Sequence, residues 1–406
     1  MQASSLLQLA LMGVLVAILP LSMVWMSSDV NKFRKLVWVA VFLTFDLIVF
    51  GGFTRLTDSG LGCPDWPGCY GMANPFLAHE QISAAEAAMP TGPVTVAKAW
   101  IEMIHRYLAM GIGVIIMALL FTAFRQWRKT KMQAFKPGIP LALFVFVCIQ
   151  GAFGAWTVTL KLQPVIVTIH LLLGMGLLAL LTWLGGREDF LMHPPAPAGN
   201  TAALRRIRIL AILAAVVITA QIALGGWVST NYATLACDEF PLCDGYVVPP
   251  MDFEHGFHLW RELGKTAAGH YLPFSALVAI HWVHRNFAIV VVAVLGLLVW
   301  RAWRQPYLAK HARLLALVLF VQLLTGVATV YLDFPLAIAV MHNAGAALLV
   351  LLATMLNYRV KYQIEVNRDV NGANPAADSV ANPAANAAVN PAAGSSANLS
   401  VKPAVK

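Results

Sequence analysis

Five of the eleven histidines lie inside long apolar segments: His105, His170, His281, His284 and His342. Polar side chains are costly inside a membrane, so their presence there indicates a functional site. Four of the five lie about four to nine residues from one end of their segments. At ~1.5 Å per helical residue, these four share roughly one depth, in the outer third of a bilayer.

The four histidines of similar depth form two pairs, His105 with His170 and His284 with His342. Two imidazoles on facing helices suit the axial positions of a haem iron. A zinc site normally takes three or four ligands, which the repeated pair does not supply. The alternative is that the histidines only form hydrogen bonds between packed helices. For a single histidine we would prefer this alternative. Recurrence of the pair favours haem ligation.

The residue three positions before a paired histidine differs between the two halves of the chain. Glu102 precedes His105, and His281 precedes His284. Residues at this spacing share one helical face. An acid in one half and a base in the other predict that the two halves have different functions, with chemistry in the first half and a resident redox cofactor in the second. A helix-entry residue that favours the helix dipole is an equally weighted alternative for Glu102.

An arginine directly follows one histidine of each pair, as Arg106 and Arg285. Arginine forms charge-assisted bonds to carboxylates, which makes both residues candidate partners of haem propionates. The alternative is that each side chain extends its charged end to the membrane surface. The sequence does not separate these two possibilities.

The segments that must position these residues are those of a membrane protein. Of 406 residues, 59% are hydrophobic and 12% charged, against about a quarter charged in a typical soluble domain. Segments near the ~20 residues needed to cross a bilayer should be helical, because lipid cannot satisfy backbone groups. We therefore predict an all-α polytopic membrane protein with candidate spans near 6–26, 36–53, 101–124, 139–160, 166–186, 207–227, 275–300, 313–332 and 336–358.

The charge distribution predicts the orientation in the membrane. Basic residues cluster in short connections, such as 32–35 and 125–131, which argues against a nucleic-acid partner despite the net charge of +9. Acidic residues concentrate in the alternate loops 54–100 and 228–274. By the positive-inside rule these two loops lie outside the cytoplasm and the C-terminal tail lies inside.

Four of the five cysteines fall in the two outer loops, as Cys63 with Cys69 and Cys237 with Cys243. An extracytoplasmic compartment permits disulfides, and we predict one in each loop. Free thiols or half of a metal site are the alternatives, because connectivity cannot be proved from sequence. Cys148, inside an apolar span, is interpreted as inert packing.

The chain contains two copies of one unit. "GGFTRLTDSGLGCPDWPGC" at 51–69 recurs as "GGWVSTNYATLACDEFPLC" at 225–243. We expect a four-helix bundle at 36–186, a cytoplasmic linker at 187–206 and a second bundle at 207–358, in parallel orientation. Residues 1–30 would add an extra transmembrane helix. The Ala/Asn/Pro-rich tail, 365–406, is predicted to be disordered.

These motifs resemble the heme A synthase family, in its prokaryotic branch with paired extracytoplasmic cysteines. The resemblance covers roughly residues 36–358 and rests on the order of the 51–69 motif, "EMIHR" at 102–106, "TIH" at 168–170, "HWVHR" at 281–285 and "MHN" at 341–343. The predicted extra helix at 6–26 departs from the family's eight spans.

The resemblance implies an activity and a set of site residues. The family converts heme O to heme A for cytochrome oxidase, oxidising the methyl group on porphyrin carbon 8 to a formyl group. Carried onto this chain, His105 and His170 flank the substrate haem, His284 and His342 ligate haem b, and Glu102 is the essential acid. The resemblance also implies a bacterial inner membrane, a heme O-producing farnesyltransferase as a partner, and an electron acceptor.

Two other classes of function fit paired histidines on a repeated bundle. One is a di-haem b electron-transfer subunit linked to quinones, and the other is a membrane haem transporter or chaperone. Glu102, which is present in only one copy, and the cysteine-bearing loops argue against both.

Overall fold

The computed structural model describes residues 2–29, 31–131, 136–193 and 195–373. Over these ranges the chain is helical without strands, and nine helices are long and apolar enough to cross a membrane. All nine predicted spans are confirmed. They are α1 Gln2–Met26, α2 Lys32–Leu56, α4 Val96–Thr130, α5 Gly138–Thr159, α6 Pro164–Met192, α7 Thr201–Thr230, α9 Phe274–Trp303, α10 Ala309–Tyr331 and α11 Leu336–Ala373. Two short helices, α3 His79–Ala88 and α8 Phe253–Gly256, lie in the long loops.

Polar side chains cap the starts of several long helices. Asn31 accepts a hydrogen bond from the backbone N–H of Arg34 at the start of α2, and Thr95 accepts one from Lys98 at the start of α4. Asn200 does the same for the first turn of α7. Each cap satisfies backbone donors that the first turn leaves unpaired, and so sets the residue at which the helix begins.

Eight of the long helices pack as two groups of four. In the first group α4 packs against α2 and α5, and α6 packs against the same two helices. In the second group α9 packs against α7 and α10, and so does α11. Thus α4 and α6 lie diagonally across the first bundle, and α9 and α11 across the second. The bundles meet where α6 contacts α7 and α11, and where α2 contacts α11.

The two long loops lie at the same end of the bundles. We call residues 57–95 the first cap and residues 231–273 the second cap, and their end of the molecule the cap side. The first cap packs on a small apolar core that includes Cys63, Cys69 and Met103. The second cap packs on an equivalent core that includes Cys237 and Cys243. Each cap therefore rests on the helix that carries the first histidine of its bundle's pair.

Two connections differ from the sequence-based boundaries. Helix α6 continues to Met192 and α7 begins at Thr201, so the connection is 193–200 rather than 187–206. Residues 365–373, expected in the disordered tail, are helical because α11 continues to Ala373. This extension contacts the connection, since Gln363 Nε2 donates to the Ala196 carbonyl at 2.9 Å and Asn367 Nδ2 donates to the Ala198 carbonyl at 3.1 Å. The remainder of the predicted tail, 374–406, lies outside the described residues.

Helix α1 lies outside both bundles and packs along α4. Gly13 and Gly111 allow close approach, because a Cβ on either would lie within 2.8 Å of a side-chain atom of the other helix. At the cap side, Ser5 Oγ donates to the carbonyl of Gly71 at 2.6 Å. Helix α1 thus contacts both the first bundle and the first cap.

Candidate functional site

The structure places each predicted histidine pair on diagonal helices of one bundle. His105 lies on α4 and His170 on α6, which face each other diagonally across the first bundle. His284 lies on α9 and His342 on α11, which face each other in the same way across the second bundle. All four residues are half-buried. The pairs are therefore brought together across the bundle interior, while their role as iron ligands stays a prediction.

Each imidazole packs over a glycine of the preceding long helix. A Cβ at any of these glycines would lie 2.8 to 3.1 Å from the Cε1 atom of the ring, tighter than nearly all real contacts. Any side chain there would press on the imidazole, so glycine is required at this close approach. The four contacts are Gly51 with His105, Gly154 with His170, Gly225 with His284 and Gly326 with His342.

The glycine contacts were missed by the sequence analysis, although the repeat contained a signal for them. A glutamine precedes the glycine by four residues in three of the four helices, as Gln150, Gln221 and Gln322. Gln150 Nε2 donates to the backbone carbonyl of His170 at 3.1 Å, and Gln221 Nε2 donates to that of His284 at 3.0 Å. The recurring pattern thus marks helices that support a histidine.

The Nδ1 atoms of the four rings differ in their partners. In the first bundle, Nδ1 of His105 and of His170 is buried and has no hydrogen-bond partner among the described residues. In the second, Nδ1 of His284 lies 3.3 Å from Gln221 Nε2, and Nδ1 of His342 lies 3.0 Å from Thr325 Oγ1. Only the second bundle holds both rings through their Nδ1 atoms.

These observations fit a haem between the diagonal helices of each bundle. The donor set is two imidazoles, the pattern for axial haem ligation. Each ring packs on a glycine, and in the second bundle polar side chains also contact both rings, as is usual for ligating histidines. In the second bundle Arg285 Nη1 is buried without a partner among the described residues. That atom is available to a propionate, whose carboxylate would complete its hydrogen bonding.

Glu102 contacts the first cap rather than standing free beside His105. Its Oε2 atom accepts the backbone N–H of Cys63 at 2.8 Å, and its Oε1 atom accepts from Arg106. The side chain is buried. In the second copy Nδ1 of His281 accepts the N–H of Cys237 at 3.2 Å. Glu102 and His281 therefore occupy equivalent places under the two caps, a role that sequence reasoning did not find for His281.

The two arginines predicted as propionate partners also bind the caps. Arg106 Nη1 donates to the carbonyl of Gly68 at 2.6 Å, and Nη2 donates to that of Asp65 at 3.1 Å. Arg285 Nη2 donates to the carbonyl of Leu242 at 2.8 Å. The guanidinium of Arg106 is thus occupied by Glu102 and the cap, whereas Arg285 retains the unpaired Nη1 atom. Propionate binding by either residue stays a prediction.

Both predicted disulfides are present, Cys63–Cys69 and Cys237–Cys243, and all four cysteines are buried. Each bond closes a short loop beneath which the equivalent residues Glu102 and His281 lie. Cys148, expected to be packed inside its span, is exposed on α5. Its position on an outward face of the bundle explains the difference, because lipid tolerates a thiol as well as a packed interior does.

A polar contact joins the two bundles at the cap side. Arg55 Nη2 donates to the carbonyl of Ser229 at 2.6 Å, and its guanidinium lies 4.1 Å from the ring centre of Tyr232. The hydroxyl of Tyr232 donates to Asp58 at 2.7 Å. Arg55 and Ser229 are equivalent positions in the two copies, as are Asp58 and Tyr232. The copies therefore meet through equivalent positions that carry complementary side chains.

The second cap is fastened to its bundle by one further cation. Arg261 is buried, donates to the side-chain oxygen of Asn231 and lies 5.7 Å from the ring centre of Trp227. Burial lowers the pKa of Arg261. These contacts join the part of the second cap around Arg261 to the end of α7.

Fold and site together define a multi-pass α-helical membrane protein whose two related four-helix bundles each present a pair of imidazoles beneath a disulfide-closed cap. A family model described as COX15-CtaA, cytochrome oxidase assembly protein, matches residues 34–354. The chain belongs to the COX15-CtaA family. The match begins after α1, so this helix lies outside it.

Several curated relatives are similar along most of their length. A heme A synthase of Shewanella oneidensis is 36% identical over 327 residues, which cover 80% of this chain and 96% of the relative. A heme A synthase of Chelativorans sp. is 30% identical over 355 residues, covering 81% and 92%. One of Methylobacterium radiotolerans is 28% identical over 341 residues, covering 79% and 88%.

Proposed function

We propose that this protein is a heme A synthase, a membrane enzyme that oxidises the carbon-8 methyl group of heme O to a formyl group and so makes heme A for cytochrome oxidase. The observation that carries the proposal is the duplicated imidazole pair on diagonal helices, each ring over a glycine. The relatives named heme A synthases support the same activity.

The two bundles have different roles in this proposal. The first bundle binds the substrate heme O between His105 and His170, and the second binds haem b through His284 and His342. Haem b, when bound, supplies one-electron redox chemistry, since its iron cycles between two oxidation states. The unpartnered Nδ1 atoms of the first pair, and the contact of Thr325 Oγ1 with Nδ1 of His342 in the second, support this assignment.

Glu102 is the residue of the first bundle that we propose to act on the reacting group. It lies one helical turn from His105 towards the cap, where Cys63 and Arg106 hold its carboxylate. Oxidation of a methyl group to a formyl group takes one oxygen atom from water and releases four protons and four electrons. The carboxylate accepts a proton or stabilises positive charge at the methyl carbon, and an external electron acceptor takes the electrons. The bonds to Cys63 and Arg106 hold the carboxylate in one orientation before the substrate arrives.

The caps are proposed to lie on the extracytoplasmic side of a bacterial inner membrane. The acidic character of the cap loops and the basic connections at the opposite end support this orientation. The disulfide in each cap is also consistent with an oxidising compartment. A heme O synthase, the farnesyltransferase that produces the substrate, is the proposed upstream partner in the same membrane.

Haem extraction tests the proposed activity. The protein is expressed in cells that make heme O but lack heme A synthase, and extracted haems are separated by chromatography. A formyl-bearing haem is expected with the wild-type chain and not with an empty vector. Bound haem without any formyl product would instead indicate the quinone-linked electron-transfer subunit. A raised haem content of membranes without a product would indicate a haem transporter or chaperone.

A further inference from the structure

The fourth helices of the two bundles present their histidines in nearly identical geometry. A Cβ on Gly154 would lie 3.1 Å from Cε1 and 3.7 Å from Nδ1 of His170. A Cβ on Gly326 would lie 3.1 Å and 3.6 Å from the same atoms of His342. The two rings therefore lie at nearly the same distances from their supporting glycines, and we look for the difference in hydrogen bonding among the neighbouring side chains.

The residue before the glycine is one neighbour that differs between the two bundles. It is Phe153 in the first bundle, where its ring packs edge-on against Trp156 with centroids 5.0 Å apart. It is Thr325 in the second bundle, where the hydroxyl oxygen lies 3.0 Å from His342 Nδ1. A phenyl ring offers no hydrogen bond, which explains why Nδ1 of His170 has no partner among the described residues.

The hydroxyl of Thr325 determines which nitrogen of His342 carries the proton. Its oxygen lies 3.0 Å from the backbone carbonyl of Gln322, which can only accept, so the single hydroxyl proton goes to that carbonyl. The oxygen must then accept from His342, which places a proton on Nδ1 and a lone pair on Nε2. The Gln322 amide nitrogen lies 3.3 Å from Nε2 and can only donate, so this contact also requires a lone pair on Nε2. When iron binds Nε2, that lone pair goes to the metal and the Gln322 amide must move away.

We propose that Thr325 is a positioning residue that holds His342 in the metal-binding tautomer and so retains the haem of the second bundle, whereas Phe153 leaves the first bundle free to exchange its haem. The proposal rests on the proposed function, because a synthase needs one resident haem and one that enters and leaves. A ligating imidazole whose other N–H is hydrogen-bonded is a stronger and better-oriented donor, typically by 10–100-fold in metal affinity.

The test measures haem release from the purified holoprotein into excess apomyoglobin, together with the midpoint potential of haem b. Thr325→Val removes the hydroxyl at nearly constant volume. We expect release of haem b to become about 10–100-fold faster and its potential to become more positive, because a weaker imidazole donor stabilises ferric iron less. Thr325→Ser restores the hydroxyl and should restore both values.

Thr329→Val is the matched control. Thr329 is also buried on α10, one turn away, and its hydroxyl donates to the Thr325 carbonyl at 2.7 Å without contacting a histidine. The Thr329→Val variant should leave the rate of haem b release and the midpoint potential of haem b unchanged. Wild-type release of haem b by the Thr325→Val variant at an unshifted potential would overturn the positioning role.

Phe153→Thr tests the other half of the proposal and does not depend on how Thr325 variants fold. Haem release from the wild-type protein should include a faster phase from the first bundle, which is identified by its absence in the His105→Ala variant. We expect Phe153→Thr to slow this faster phase. An unchanged fast phase overturns the exchange argument.

None of these measurements requires heme A formation, so they can fail while the synthase activity stands. A purified chain that holds no haem would instead contradict the proposed function.

Discussion

The carboxylate of Glu102 and the backbone N–H of Cys63 are joined by a hydrogen bond of 2.8 Å. This contact places the acid proposed for chemistry at the base of the disulfide-closed first cap. His281 and Cys237 repeat it in the second copy, at 3.2 Å. The two copies therefore share a cap attachment, and only in the first is that attachment also an acid.

Variants of Glu102 distinguish its contact with the first cap from its proposed role in heme A formation. Glu102→Ala leaves Arg106 buried without its partner, a change that typically destabilises by about 3–5 kcal/mol, and should abolish heme A formation. Glu102→Gln keeps an oxygen that can accept the Cys63 N–H but removes the charge. We expect it to retain most of the thermal stability and to lose the activity, as measured by melting and by haem chromatography.

Both variants should keep a full complement of haem b, because the second bundle is unchanged. Heme A formation at the wild-type rate in Glu102→Gln would exclude the charged carboxylate from the reaction. Glu80→Gln in the first cap is a suitable control, since Glu80 is exposed. It should change neither stability nor product.

Loss of either second-bundle histidine should deplete haem b. His284→Ala and His342→Ala each remove one proposed axial ligand, so the reduced-minus-oxidised spectrum of purified protein should lose its b-type signal. His258→Ala, at an exposed position of the second cap, should leave the signal intact. Normal b-type absorbance in both ligand variants would refute the assignment.

The glycine beneath His284 should contribute to the retention of haem b. In Gly225→Ala the added methyl group would lie 2.8 Å from the Cε1 atom of His284, so the ring must shift. We expect a several-fold loss of haem b after purification. Gly296→Ala on α9 meets no atom within 4 Å and should be stabilising by roughly 0.5–1 kcal/mol. Equal haem contents in the two variants would mean that the close approach has no functional consequence.

The two disulfides should have separable effects. Replacing Cys63 and Cys69 by Ala should loosen the first cap and lower heme A formation while haem b is retained. Replacing Cys237 and Cys243 should instead lower the retention of haem b. Loss of a native disulfide in a small domain typically costs about 2–5 kcal/mol, so melting temperatures should fall in both. Full activity and normal haem content in the first double variant would leave that disulfide with no role in the reaction.

Much of the architecture was predictable because apolar length and charge asymmetry are properties of whole segments. The placement of His105 and His170 on two helices of one bundle was predictable because the repeat supplied two copies of one pattern. The attachment of Glu102 and Arg106 to the cap was not, since a bond to a loop carbonyl depends on the path of a backbone without periodicity. The end of α11 was misjudged because residues after 358 are polar, yet Gln363 and Asn367 bond the connection and extend the helix.

Helix α1 lies beside this arrangement and outside the region that the family model matches. Its Ser5 bonds the loop at Gly71, and its Gly13 fits closely against α4, the helix that carries both Glu102 and His105. One side of the first bundle is therefore covered by a segment that the family model does not match. Substitutions in α1 that remove its contact with Gly71 would therefore change how the first cap is held without altering any residue of the matched region.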